Sequence, residues 1–166
     1  MTFLDLKNME VNKQMDNNIL IEQMVKARSL SCDKEIELFE DAVQKLCGNI
    51  SINDIYNICN AFYDDTQNDE VMFEVIHLIE QLSGDEYLKC IAMHSPDMTD
   101  AHEWAMTLNK RIINSQKYFE KYIDVIDELE NSYKKKILKL LSDIKNDNPK
   151  RFAEKIDLIH ERIMRE

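Results

Sequence analysis

Four histidines and four cysteines are the residues of this chain best equipped for nucleophilic, acid–base or metal chemistry. They are His77, His94, His102 and His160, with Cys32, Cys47, Cys59 and Cys90. His102-Glu103 opens like a helical zinc-hydrolase motif, in which two histidines one turn apart hold the metal and the glutamate acts as base. The second position is occupied by Met106, so the metal has no second ligand. Glu74-x-x-His77 has the spacing of one half of a carboxylate-bridged di-iron site. Such a site needs a matching pair and two further glutamates on facing helices. The nearest second pair, Asp157-x-x-His160, lacks those neighbours, and the histidines read as ordinary helix-face residues. No two cysteines stand in a CxxC pair, and no glycine-rich phosphate loop or nucleophile elbow is present. The cysteines read as reduced, mostly buried apolar residues. The expectation is a non-enzyme with no cofactor and no metal.

Only two glycines, Gly48 and Gly84, and two prolines, Pro96 and Pro149, punctuate 166 residues. All-β folds consume both residue types in turns, and nucleotide-binding folds need glycine where backbone meets phosphate. Apolar residues instead recur with helical period. Ile19, Leu20, Met24, Ala27 and Leu30 form one stripe; Ile36, Phe39, Val43 and Leu46 form a second, ended by Gly48. Ser51 with Asp54 resembles a capping box opening a helix that carries Ile52, Ile55, Tyr56, Cys59 and Phe62. Residues 69–82 have the widest apolar face and predict a central helix. Helices follow over 85–93, from Thr99 or Asp100 to 114, over 116–130 and over 132–144. A last one has Asn148 as cap and Pro149 at its first position. The predicted fold is all-α: eight or nine short antiparallel helices packed as αα-hairpins, with an α-solenoid-like stack as one form of that packing. Residues 1–15 are weakly periodic and read as a loose N-terminal arm before a single helical domain over 16–166.

Net charge is −11, and it is uneven. Residues 1–100 hold 20 acidic and 7 basic side chains, whereas residues 101–166 hold 12 and 14. Such a surface repels nucleic acid and anionic membrane and attracts basic partners. No signal peptide or membrane-spanning run is evident, which predicts a cytoplasmic protein that binds neither nucleic acid nor membrane. The acids concentrate at Asp64, Asp65, Asp69, Glu70 and Glu74, then at Asp85 and Glu86. Complementarity with helix N-termini accounts for Asp69 and Glu70 but not for Asp64, Asp65 and Glu74. The seven are the predicted partner-binding residues. The lysines at 134, 135, 136 and 139 read as a solvated face.

The stretch 69–80, with Tyr87-Leu88, Glu103-Trp104-Ala105 and Arg111-x-x-Asn114, resembles a bacterial immunity-protein family, immunity protein thirty, over about residues 30–125. The resemblance implies a small all-α protein that binds and blocks the C-terminal domain of a cognate toxin in a polymorphic or contact-dependent system. An acidic face suits a basic toxin such as a nuclease. A generic helical adaptor or scaffold is the other reading. The positions that carry the resemblance, Glu80, Trp104, Arg111 and Asn114, read as structural. Trp104 is expected in the core, and Arg111, near an apolar face, is expected to seek a carboxylate, with Glu80 the candidate.

Overall fold

The computed structural model describes residues 1–165, and among them the regular structure is helical. The contacts divide the chain into two compact units, Met1–Leu82 and Ser83–Glu166, where the sequence reads as one domain. Each builds its own core.

In the first unit the order is α1 (Phe3–Ala27), α2 (Asp33–Leu46), a 3-10 turn (Ile52–Asp54), α3 (Ile55–Ile58), a second 3-10 turn (Cys59–Ala61) and α4 (Asp69–Ile79). The segment 1–15, read from the sequence as a loose arm, is helical from Phe3 onward as the first part of α1 and is largely exposed. Thr2 and Asp5 form a complete capping box, and its hydrogen bonds hold the Asp5 carboxyl below its ordinary value. The α1 side chains that enter the core are Asn17, Ile21, Met24 and Ala27, so the stripe is turned from the expected one and Ile19 is exposed. Hydrogen bonds from Gln23 to the Leu38 carbonyl and from Asn17 to the Asn49 carbonyl show α1 and α2 running in opposite directions.

Leu30, between α1 and α2, has φ +50° and is 2% exposed. Left-handed backbone costs a residue with a Cβ about 1–2 kcal/mol. Burying a leucine side chain returns about 1.5–3 kcal/mol, enough to hold it there. Gly48, at φ +75°, supplies the left-handed turn after α2 at little steric cost. The Ser51–Asp54 capping box is present, but the helix expected from it is broken into two 3-10 turns around α3, and Tyr56 points out. In α4, Val71, Met72, Val75, Ile76, Leu78 and Ile79 are all buried, the wide face expected of a central helix.

Asp54 is fully buried. Its carboxylate accepts from Gln14 Nε2 at 2.6 Å, Asn17 Nδ2 at 3.1 Å, the Ser51 backbone N–H at 2.8 Å and the Ser51 hydroxyl at 3.4 Å. Four neutral donors thus replace the water it lost.

The second unit contains α5 (Asp85–His94), a 3-10 turn (Ser95–Asp97), α6 (His102–Ile113), α7 (Phe119–Asp127), α8 (Asn131–Asp147) and α9 (Pro149–Ile163). Gly84 precedes α5 as its N-cap residue. Ala101, not Thr99 or Asp100, precedes α6 and contributes no side-chain cap. Asn148 caps α9 through the Arg151 N–H, and Pro149 takes the first helical position, as expected. Lys145–Asp157 and Ser142–His160 contacts set α8 and α9 in opposite directions. A buried polar chain crosses this core. The Tyr122 hydroxyl donates to Asn109 Oδ1, and Asn109 Nδ2 donates to the Ser95 hydroxyl and the Ala105 carbonyl, each at 2.9 Å. Burial pushes the Tyr122 pKa well above 10.

Two outcomes follow from these networks. Asp54→Ala leaves Asn17 buried with only the Asn49 carbonyl as acceptor and strips the Ser51 N–H of its partner, and should cost about 1.5–3 kcal/mol, read from urea unfolding. Tyr122→Phe orphans Asn109 Oδ1 and should cost about 1–3 kcal/mol. The raised Tyr122 pKa means its neutral form is the one the fold holds. That stability is complete below the ordinary tyrosine value of about 10 and is lost as pH rises toward the folded value. Wild type should therefore lose stability in this alkaline range more steeply than Tyr122→Phe.

Candidate functional site

Five of the seven predicted binding residues fall on one stretch of the first unit. Asp64 and Asp65 occupy a turn, Asp69 and Glu70 the first turn of α4, and Glu74 the next turn. Asn68 caps α4 by accepting from the Val71 N–H at 3.1 Å, which leaves Asp69 and Glu70 exposed at the positive end of the helix. Arg28 at the end of α1 anchors the preceding segment. Its guanidinium donates to the Asn60 and Phe62 carbonyls and lies 4.5 Å from the Tyr63 ring centre. The Gln67 N–H donates to the Ser29 carbonyl at 2.8 Å. The acidic turn is therefore pinned at both ends.

Asp85 and Glu86 belong to the second unit. They line a groove of about 180 Å³ with Lys89, Lys121, Asp124 and Glu128, a setting of mixed charge.

α2 contributes acids that the motif search missed. Asp33, Glu35, Glu37, Glu40 and Asp41 lie within nine residues, against one lysine, Lys34. A count of charge along that helix finds them. α2 packs against α4. Glu74 is half-buried there, and its pKa is raised first by that burial and then by the negative charge of Glu40. Asp41 is instead lowered, chiefly by a hydrogen bond from Lys45 at 2.9 Å, and Glu35 by bonds from Ser31.

The two units carry charge differently. Met1–Leu82 holds 16 acidic and 6 basic side chains, and Ser83–Glu166 holds 16 and 15. The second unit matches its acids internally. Lys136 meets Asp97, Lys110 meets Asp147, Lys145 meets Asp157, Lys139 meets Asp143, and Arg162 meets Glu120. Part of the lysine run at 134–139 is thus engaged in ion pairs. In the first unit, among the described residues, Asp65, Asp69, Glu70 and Glu40 form no ion pair.

The four positions that carried the resemblance divide. Trp104 is buried at 9% exposure, as expected. Arg111 is exposed in the last turn of α6. Glu80 and Asn114 are exposed at the ends of α4 and α6. Cys32 and Cys47 are also exposed, against the expectation of mostly buried thiols. The Gln81 amide donates to Cys47 Sγ at 2.9 Å. Among the described residues no group of three or more His, Cys, Asp or Glu side chains could hold a metal ion, and no helix is long and apolar enough to cross a membrane.

A model of the Immunity protein 30 family matches residues 26–122. The chain belongs to that family. The matched range includes α2, α4, α5 and α6, and thus every predicted binding residue and all four positions of the resemblance. No curated protein and no solved structure matches the chain.

The Glu40–Glu74 repulsion is open to test by pH. A carboxyl with a raised folded pKa stabilises the fold most when protonated, at low pH, and that contribution is lost as pH rises through the folded value. Glu40→Gln should raise the melting temperature at pH 7 and leave it unchanged near pH 3, below the ordinary glutamate value of about 4.3. Equal shifts at both pH values would trace the effect to packing, not charge.

Proposed function

We propose that this immunity-family protein binds and neutralises the C-terminal domain of a cognate toxin through the acidic surface of its first unit. The observation that carries the reading is the uncompensated charge there: 16 acidic against 6 basic side chains, with exposed carboxylates on α2, α4 and the turn between Tyr63 and Asn68. Like charges facing each other across α2 and α4 work against folding. A basic partner relieves that repulsion and is steered to the surface by the same field. A toxin domain that itself binds nucleic acid, such as a nuclease, has the matching positive charge. In the cytoplasm of the producing cell such a complex blocks the toxin by covering its basic face. Family membership favours this reading over a generic helical adaptor, which composition alone left open.

The test begins with co-expression of the protein and a toxin domain encoded beside it, scored by growth rescue and co-purification. In the complex, the triple substitution Asp65→Lys, Asp69→Lys, Glu70→Lys should weaken binding at least about tenfold, a loss of 1.4 kcal/mol or more. It should also flatten the dependence of affinity on salt. The isosteric triple with Asn, Asn and Gln controls for the contribution of Asp69 and Glu70 to the α4 N-terminus. Unchanged affinity with unchanged salt dependence would contradict the acidic-face reading.

A further inference from the structure

The exposed apolar residues of this chain are concentrated in one place. Among the described residues, eight of the twelve exposed large hydrophobic side chains lie in the first 19 positions. Residues 1–13 are exposed throughout, yet Phe3–Lys13 is continuous α-helix. It is extended from the packed half of α1 and held at its start by the Thr2–Asp5 capping box, so its exposed apolar side chains add nothing to the fold of the single chain. The buried stripe of α1, Asn17, Ile21, Met24 and Ala27, continues toward the N-terminus as Phe3, Leu6 and Met9, which are 84%, 47% and 60% exposed. This half of α1 also lies outside residues 26–122, the range that matches the family.

Its charge identifies the occupant. Residues 1–16 carry Asp5, Glu10 and Asp16 against Lys7 and Lys13, a net of −1, whereas residues 17–82 carry −9. A basic partner is drawn to the latter. The former is the part of the unit that another copy of this acidic chain can approach without strong repulsion. The signs at positions 5, 7, 10 and 13 alternate − + − +, so the segment read backwards is its own complement. In an antiparallel pair of such helices centred on Met9, the Met9 side chains of the two copies meet, and Leu6 of each packs within one turn of Met9 of the other. Lys7 then stands beside Glu10 of the other copy, and Asp5 beside Lys13 of the other copy. Opposite charges flanking an apolar seam are the arrangement that fixes orientation in paired helices.

We propose that the N-terminal half of α1 is a self-association surface, through which two copies of this chain pair antiparallel along Phe3, Leu6 and Met9. Sedimentation velocity on the full chain tests it. Wild type is expected to dimerise, and Leu6→Glu, an exposed site whose change leaves the core intact, to raise the dissociation constant at least about tenfold. Lys7→Glu should weaken the dimer, and Lys7→Glu combined with Glu10→Lys should restore it, a rescue that non-specific apolar clustering does not give. A monomeric wild type, a dimer indifferent to Leu6→Glu, or no rescue by the double reversal would each overturn the proposal. So would a monomer whose Leu6 is needed only for binding the toxin domain or anionic lipid vesicles, which would assign the face to that partner.

Discussion

The buried carboxylate of Asp54 is the constraint around which the first unit is arranged. A unit with 16 acids and 6 bases has few cations to place in its interior. An ionised carboxylate there costs several kcal/mol unless hydrogen bonds replace its water. Gln14, Asn17 and both the backbone and hydroxyl of Ser51 supply them. Two of those donors lie on α1 and one residue supplies the rest from the turn before α3. The same interaction that solvates Asp54 therefore sets where α1 crosses the chain. Asn17 extends it to the Asn49 carbonyl just beyond α2. α2 packs on α1, and α4 packs on α2, so the acidic elements inherit their placement from this contact.

The two units put their charge to different uses. In the second, lysines and arginines reach carboxylates on neighbouring helices, and the charges nearly cancel. Exposed pairs of that kind are worth about 0–1 kcal/mol each, so they keep the surface neutral more than they hold the fold. In the first, the carboxylates are left facing solvent, and Glu74 is held near Glu40. A chain selected for stability alone has an easy route to relief, one lysine in α2 or α4. Retaining the repulsion is intelligible if the surface is completed by another molecule. That physical reasoning and membership of the Immunity protein 30 family rest on independent observations.

Much of the fold was legible because helix signals are local. The capping box at Ser51–Asp54, the Asn148–Pro149 start and the wide face of α4 all act within a few residues. What was missed depends on partners far apart in the chain. Ile19 and Ile21 satisfy apolar periodicity almost equally, and the Asp54–Asn17 bond decides which faces inward. The segment 51–62 has a helical apolar pattern, but the solvation of Asp54 and the short path between α2 and α4 break it into turns. In the candidate site, Asp64 to Glu74 were visible as a run of acids. Glu40 was not, because its importance comes from packing of α2 on α4. Asp85 and Glu86 follow soon after in sequence but belong to a different unit, a boundary that no proline- or glycine-rich linker marks.

The most direct measurement of the central claim is the change in backbone amide chemical shifts of the isotope-labelled protein on titration with its cognate toxin domain. If the acidic surface of the first unit is the binding face, shifts concentrate on α2 and on residues 64–74, and shrink as salt is added. Shifts confined to residues 83–165, with the acidic turn and α4 unmoved, would contradict the account.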